Sequence, residues 1–430
     1  MNFIKKALSI LIHALIPKKY RAAFDAKVSK TYAAFHSTPE LRVFWKIVRI
    51  PIVFPLSMVF ALIKTIVIWI IPQGRYRELV FSFNEFYNDM IVRKLGFKLS
   101  LKRNALRNEL FVKGKEKMVH YGNLNPDKTF YVIRPYYYLT RNELTVNLSN
   151  LLMHYYRTLE HLAYAIENNW EPVIDWQNYG PFPHGEDYPI NGTTNCWEYY
   201  WNQPSEYTLD EVYQSKNVIL SAQNTRDNEF VPVCAFKTPL QKQAMDYAQK
   251  CPKYDQYITL NSYTQKYVQE KENLLFPKGS RIMGVSVRGT SYGVCKSKTD
   301  TSGHPVQPDI ERLILSISEA IEEWDMDFIF VTCELESVIT KISEAFPSKV
   351  IFLPRKRYQK PPVRGDVEKN LDPLYVPGQK YQTNLDYVTE MVLLSRCNSL
   401  LAAMSSGVRA AIIWNNNQYE NMRIFDNGLW

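Results

Sequence analysis

Residues Ile282–Ser291 read IMGVSVRGTS. The first six, Ile282–Val287, are small or branched and uncharged, the pattern of a strand buried on both faces of a sheet. The charge that ends the run, Arg288, falls just beyond the strand's carboxyl end. Downstream the pattern alternates. Pro308–Trp324 places Ile310, Leu313, Ile314, Ile317, Ile321 and Trp324 on one helical face, with Pro308 and Asp309 suited to its first turn. Phe328–Thr332 is a second strand, Glu336–Phe346 a helix with Val338, Ile339 and Ile342 inward, and Val350–Leu353 a third strand. A polar, proline-containing loop covers Pro354–Thr383. Leu385–Arg396 is helical, Ser399–Ala403 is a strand, and Ser406–Ile413 is a short helix. Strands alternating with helices predict a doubly wound parallel sheet.

Working back toward the N-terminus, a similar unit is visible. Thr129–Ile133 (TFYVI) is a short strand. Leu148, Leu151, Leu152, Tyr155, Leu159, Leu162, Ala163 and Ile166 repeat at helical steps, and Glu171–Asp175 (EPVID) is the next strand. Val218–Leu220 adds a further strand. Gln177–Gln203, rich in Asn, Pro, Gly and aromatics, reads as an exposed loop. The expected fold class is α/β, with two Rossmann-like domains facing a cleft, the default position for a ligand. The domains are placed at 76–277 and 278–430, behind an apolar helical segment at 1–75.

That leading segment decides the charge reading. The chain has 430 residues and a net charge of +9, from 52 Lys and Arg against 43 Asp and Glu. Residues 1–50 carry ten Lys or Arg against Asp25 and Glu40, and the remainder is close to neutral. A basic arm of this kind suits a membrane surface better than nucleic acid. Ile50–Ile71 (IPIVFPLSMVFALIKTIVIWII) has the length of a bilayer span but contains Pro51, Pro55 and a central Lys64. With FIKKALSILIHALI at 3–16, it is read as lying in the interface; a spanning helix with the basic end inside is the alternative. No small-residue cleavage site follows, so a removed signal peptide is not expected. The six cysteines show no CxxC spacing and the seven histidines are scattered, so no metal motif is present; isolated thiols fit a reducing compartment. Sequons at Asn147 and Asn191 matter only to a secreted chain.

Four stretches carry residues suited to chemistry. Arg288 matches a phosphate in bidentate fashion or pairs with a carboxylate such as Glu334, and Gly289 permits close backbone approach. Ser405-Ser406-Gly407, between a strand and a helix, offers hydroxyls and free N–H groups to an anion, or simply caps the helix. Thr332 and Glu334 end a strand and either contact a base or ribose or cap the next helix. His304, in HPVQP, is an acid/base group or a structural loop histidine.

In this order the four pieces resemble the fucosyltransferase superfamily, which includes α-1,6- and protein O-fucosyltransferases. The family hallmark H-V-R-R-T-D is similar to Ser286–Ser291, SVRGTS. A His-Pro pair before a helix is matched by His304-Pro305, and A-T-D-D by Val331–Glu334. L-L-S-x-C-D-x-L-V-x-x-x-S-S-x-V-x-R is matched by Leu393–Arg409, LLSRCNSLLAAMSSGVR, the most specific of these correspondences. Ser286, Gly289, Ser291 and Cys333 depart from the family pattern.

The resemblance implies a GT-B-like fold and inverting, metal-independent transfer of fucose from GDP-fucose, with no further cofactor. It assigns Arg288 to the β-phosphate and the leaving-group charge. It places Gly289, Thr290, His304, Thr332, Glu334, Ser405 and Ser406 around the donor. The acceptor base is unassigned, with Asp300, Asp175 and Glu143 as candidates by chemistry. The expected partners are a nucleotide sugar, a glycan or lipid-linked glycan acceptor, and the membrane surface. The expected setting is surface-polysaccharide assembly on the cytoplasmic face of a bacterial membrane. Two other readings remain open: an enzyme with a different nucleotide sugar, and a non-catalytic polysaccharide-assembly protein.

Overall fold

A parallel sheet needs a crossover between every pair of strands, and those crossovers bury both of its faces. The computed structural model shows two such sheets. It describes residues 116–135, 137–139, 144–146, 150–179, 184–222, 230–232, 235–289, 304–360 and 378–429, all within one compact unit, Glu109–Trp430. The segment 1–75, Glu143, Asn147, Thr290, Ser291 and Asp300 lie outside the described residues. Among the described residues no helix is long and apolar enough to cross a membrane.

The first half contains β1 (Lys117–Val119), β2 (Leu124–Ile133), a small hairpin of β3 (Tyr137–Leu139) and β4 (Leu144–Val146), α1 (Leu151–Glu167), β5 (Glu171–Ile174), α2 (Leu209–Val212) and β6 (Ser215–Leu220). Its sheet order is β1-β6-β2-β5, with β2 parallel to β5 and β6, and β1 antiparallel at the edge. Asn150 starts α1 by accepting a hydrogen bond from the Met153 N–H at 3.0 Å. One face of the sheet packs on α1, and the other on a small cluster with Val212 of α2. This half is therefore thinner than the fully wound domain expected, because the chain from β5 to β6 makes no long helix.

That connection is not the exposed loop read from its composition. Trp197, Tyr199, Tyr200 and Trp201 are all buried. The Trp197 and Trp201 rings stack at 4.6 Å, and Tyr155 of α1 lies 5.3 Å from Trp201. The aromatic side chains supply the core that a crossover helix would have supplied. The same segment also reaches the second half. The Glu186 carboxylate accepts from the N–H groups of Gly378 and Tyr381, both at 2.9 Å.

Between the halves lie α3 (Leu240–Lys250), α4 (Pro252–Asp255) and α5 (Ser262–Leu275). The second half then follows as β7 (Ile282–Ser286), α6 (Ile310–Trp324), β8 (Phe328–Thr332), α7 (Glu336–Ala345), β9 (Val350–Ile351), α8 (Lys380–Ser395), β10 (Ser399–Ala403), α9 (Ser406–Trp414) and β11 (Asn421–Phe425). The sheet order is β11-β10-β7-β8-β9, all parallel. Alternate strand residues face opposite ways. Met283, Val285, Ile329, Val331 and Leu401 pack with α6 and α7. Ile282, Phe330, Leu400 and Ala402 pack with α8 and α9. The doubly wound α/β domain is thus as expected, with β8 and β10 at the expected limits.

Other limits differ. β7 stops at Ser286, and α8 begins five residues before Leu385, where a polar first turn hides the apolar repeat. The missing side-chain cap of α8 is supplied from a distance by Glu186. β11 was not read from the sequence; NMRIF is a half-exposed edge strand, and only Ile424 and Phe425 are buried.

The centre of the sheet needs a glycine. A Cβ at Gly284 would lie 2.5 Å from Leu394 Cδ1 and 3.3 Å from the Cys397 sulfur, where α8 crosses the strand. Gly284→Val is expected to destabilise the fold by about 1–3 kcal/mol through overpacking. Chemical denaturation of the variant against the parent checks this, and an unchanged midpoint would contradict the packing described.

Candidate functional site

In the second sheet the connections run one way from β7 to β8 and β9, then return to the other side of β7 for β10 and β11. The reversal lies between β7 and β10. Ligands of open α/β sheets bind outside the carboxyl ends of the strands at such a reversal, because the chains leave the two strands in opposite directions and leave a crevice. Arg288 follows β7 there, and Ser405-Ser406 follow β10.

The structure brings four of the eight expected residues together in one pocket. Arg288, Thr332, Glu334 and Ser405 line one small pocket with Ser286, Arg355 and Glu390. Its volume is about 20 Å³, far below the few hundred Å³ of a ligand-sized site. The polar groups close on one another. Arg288 Nε lies 3.0 Å from Glu334 Oε1. The Gly289 N–H donates to Glu334 Oε2 at 3.2 Å, and the Arg288 N–H donates to Gln307 Oε1 at 2.8 Å. The Thr332 hydroxyl donates to Ser286 Oγ at 2.8 Å. The carboxylate alternative for Arg288 is therefore realised. Neither Thr332 nor Glu334 caps α7, whose N-cap residue is Leu335 and makes no side-chain cap.

Glycine at 289 has a packing reason: a Cβ there would fall 2.5 Å from Leu335 Cγ. His304 is described but does not line the pocket; its segment approaches Arg288 through Gln307. Thr290 lies outside the described residues. Asp175, a candidate base by chemistry, is fully buried. It accepts from the Gln177 and Asn178 N–H groups at 3.0 Å, from Asn178 Nδ2 at 2.9 Å and from the Tyr213 hydroxyl at 2.5 Å. Its lone pairs are occupied in holding a turn together.

The two serines divide their roles. Ser405 is the N-cap of α9, accepting from the Val408 N–H at 3.1 Å. Among the described residues, the hydroxyl of Ser406, 2% exposed, has no hydrogen-bond partner. A buried hydroxyl without a partner costs about 1–3 kcal/mol. It stands in the first turn of a helix, where the backbone N–H groups lack intrahelical acceptors and the helix dipole is positive. Gly407 lets α8 come close, since a Cβ there would meet Tyr387 and Met391 at 2.7 Å.

A second ionic group, two of whose members line the pocket, was missed in the sequence. Glu390 of α8, 1% exposed, is held between Arg355 Nη2 at 2.8 Å and Arg357 Nη2 at 3.0 Å. Arg357 also donates to the carbonyls of Cys333 at 3.1 Å and Leu353 at 2.8 Å. Desolvation pulls the Arg357 pKa down, and Glu390 opposes that shift. Among the described residues three guanidinium groups and three carboxylates meet here, Arg288 with Glu334, and Arg355 and Arg357 with Glu390, with Glu336 also acting on Arg357. The available signals were the R-K-R run at Arg355–Arg357, with three residues between it and the end of β9, and a lone Glu inside the apolar stretch of α8. Among the described residues no cluster of three or more His, Cys, Asp or Glu could hold a metal ion.

No protein-family model and no curated protein matches the sequence. Solved structures do align. The crystal structure of fucosyltransferase NodZ from Bradyrhizobium covers 70% of this chain and 98% of its own, at 14% identity and a TM-score of 0.37. NodZ α-1,6-fucosyltransferase soaked with GDP-fucose covers 66% and 91%, at 14% identity and 0.36. POFUT1 in complex with GDP covers 69% and 98%, at 10% identity and 0.38. The chain is similar to these fucosyltransferase structures over about two thirds of its length, with loose superposition.

Proposed function

We propose that this protein is a glycosyltransferase, fucosyltransferase-like, whose nucleotide-sugar donor sits at the β7–β10 reversal with its pyrophosphate between Arg288 and the start of α9. The observation that carries the reading is the buried, unpartnered Ser406 hydroxyl in the first turn of α9, on the same sheet edge as Arg288. An anion is the ligand that such a helix start and a guanidinium share.

In this reading the donor's C1–O bond breaks with its electron pair leaving on the β-phosphate. The acceptor oxygen attacks C1 from the opposite face, inverting the anomeric centre, and its proton passes to a base. Arg288 offsets the developing leaving-group charge. Ser405, Ser406 and Gly289 stand around the pyrophosphate, with Thr332, Glu334 and His304 toward the nucleoside; Thr290 is assigned to the donor by the family resemblance alone. The tight Arg288–Glu334 pair makes entry of the donor an exchange, in which phosphate replaces carboxylate on the guanidinium. GDP-fucose is the donor proposed, no metal or further cofactor is required, and the acceptor is a glycan or lipid-linked glycan. The basic arm and apolar stretches before residue 75 suit the cytoplasmic face of a bacterial membrane, in surface-polysaccharide synthesis.

Transfer from a labelled donor by the full chain in detergent tests this. Arg288→Ala is expected to lower transfer by about 10²–10³-fold, the cost of losing one charge-stabilising donor, while EDTA leaves the rate unchanged. Retained transfer in the variant would overturn the mechanism. Calorimetric titration with GDP, UDP, dTDP and CMP is expected to select GDP, and preference for another nucleotide would remove fucose from the reading.

The serines give a separate test. Ser405→Ala loses a helix cap and is expected to cost about 1 kcal/mol of stability. Ser406→Ala removes an unsatisfied hydroxyl, so it is expected to leave stability equal or higher while weakening GDP binding by about 0.5–1.5 kcal/mol. Denaturation and calorimetry on both variants check the pair; unchanged GDP affinity in Ser406→Ala would remove that hydroxyl from the site.

A further inference from the structure

A second cavity lies away from the Arg288 edge. Its volume is about 510 Å³, within the range of small-molecule sites. It is bounded by Asp255 of α4 and Trp201 from the first half, and by Trp414, Asn398 and Gln418 from the second. Asn398 precedes β10 and Ser405 follows it, so the cavity sits at the opposite edge of the sheet, roughly 20 Å from the serines at 3.3 Å per strand residue.

The walls have a distinct chemistry. Trp414 is half-buried, and its Nε1–H donates to the Tyr155 hydroxyl at 2.8 Å. That hydroxyl in turn donates to Asp255 Oδ1. Burial raises the Asp255 pKa to about 8, so at neutral pH the carboxyl is uncharged, with one oxygen already accepting from tyrosine and an O–H left to donate. Gln418 is exposed and lines the cavity, and among the described residues its side-chain amide has no hydrogen-bond partner. The ions that line the cavity pair with residues outside it, Arg396 with Glu272 and Glu420 with Arg281. Among the described residues a phosphate, a nucleotide or an amine finds no free counter-charge here. An uncharged polyol with apolar C–H faces finds an aromatic surface, a neutral acid and a free amide.

We propose that this cavity is a saccharide-binding site for an uncharged hexose unit, separate from the site at Arg288. Trp414 packs against the C–H face of the sugar, and Asp255 and Gln418 hydrogen-bond its hydroxyls. Saccharide binding here does not require the transferase reading; if that reading holds, the site retains a glycan chain at a distance from the reacting end.

Saturation-transfer NMR on the full chain in detergent, with maltotriose, cellotriose and chitotriose as probes, tests the site. At least one of these is expected to bind at about 10 mM or below, with binding unchanged by saturating GDP and in Arg288→Ala. Trp414→Leu is expected to weaken binding by about tenfold, the loss of one aromatic contact. Asp255→Asn retains binding, since it keeps a neutral hydrogen-bonding group. Gln418→Trp, at an exposed position where folding is not in question, abolishes binding by filling the cavity. Failure of all three probes to bind, or full binding in Gln418→Trp, would overturn the proposal. Loss of binding in Arg288→Ala or under GDP would instead place the saccharide at the first site.

Discussion

The pairing of β7 with β10 is the constraint on which the second half depends. The connections run away from β7 toward β9 on one side and return to β10 on the other, and right-handed crossovers running in opposite directions lie on opposite faces of the sheet. That single pairing separates α6 and α7 from α8 and α9. It also leaves the exits of β7 and β10 side by side, diverging. Arg288 and the start of α9 become neighbours for this reason alone, although nothing local in either stretch specifies the other.

What surrounds Arg288 is a set of exchanged partners rather than an open basin. Taking an ion from water costs several kcal/mol, and only well-made pairs return it. Glu334 performs this for Arg288, and Glu390 for both Arg355 and Arg357. The arrangement stabilises the unliganded state of the edge. An incoming dianion therefore competes with carboxylates already in place, and affinity is a difference between two sets of charge-assisted bonds. Such a site discriminates against weak acceptors, because a neutral ligand does not displace Glu334.

The second half was legible in the sequence because it follows one rule throughout. Buried parallel strands are continuous apolar runs, and β8 and β10 were bounded correctly by the polar residues that end them. Legibility failed where context replaced local pattern. The aromatic segment before β6 looked like a loop because its Asn, Pro and Gly mark turns, yet its tryptophans are core. The α8 start was hidden because its cap is supplied by Glu186, from a distant part of the chain. At the candidate site, Arg288, Thr332, Glu334 and Ser405 were singled out from the strand ends at which they stand, and the structure gathers those four at one sheet edge. Arg355, Arg357 and Glu390 were not, because a buried ion pair couples a loop to the middle of a helix and has no signature in either. Nor does spacing show that Ser405 spends its hydroxyl on a cap while Ser406 keeps its own unspent.

One hydrophobic cluster runs from Tyr131 and Leu152 of the first half to Leu394, Val408 and Ile413 of the second. Within it, Arg409 is fully buried with its guanidinium 4.5–4.9 Å from the rings of Tyr156, Phe236 and Tyr247. Two sheets that share a core in this way are not modules on a hinge. Separating them exposes apolar surface that neither half covers alone, so a cut anywhere between β6 and β7 leaves each fragment with an open hydrophobic face. Evolutionary recombination faces the same barrier: either half can be exchanged only together with the helix faces that the other has shaped.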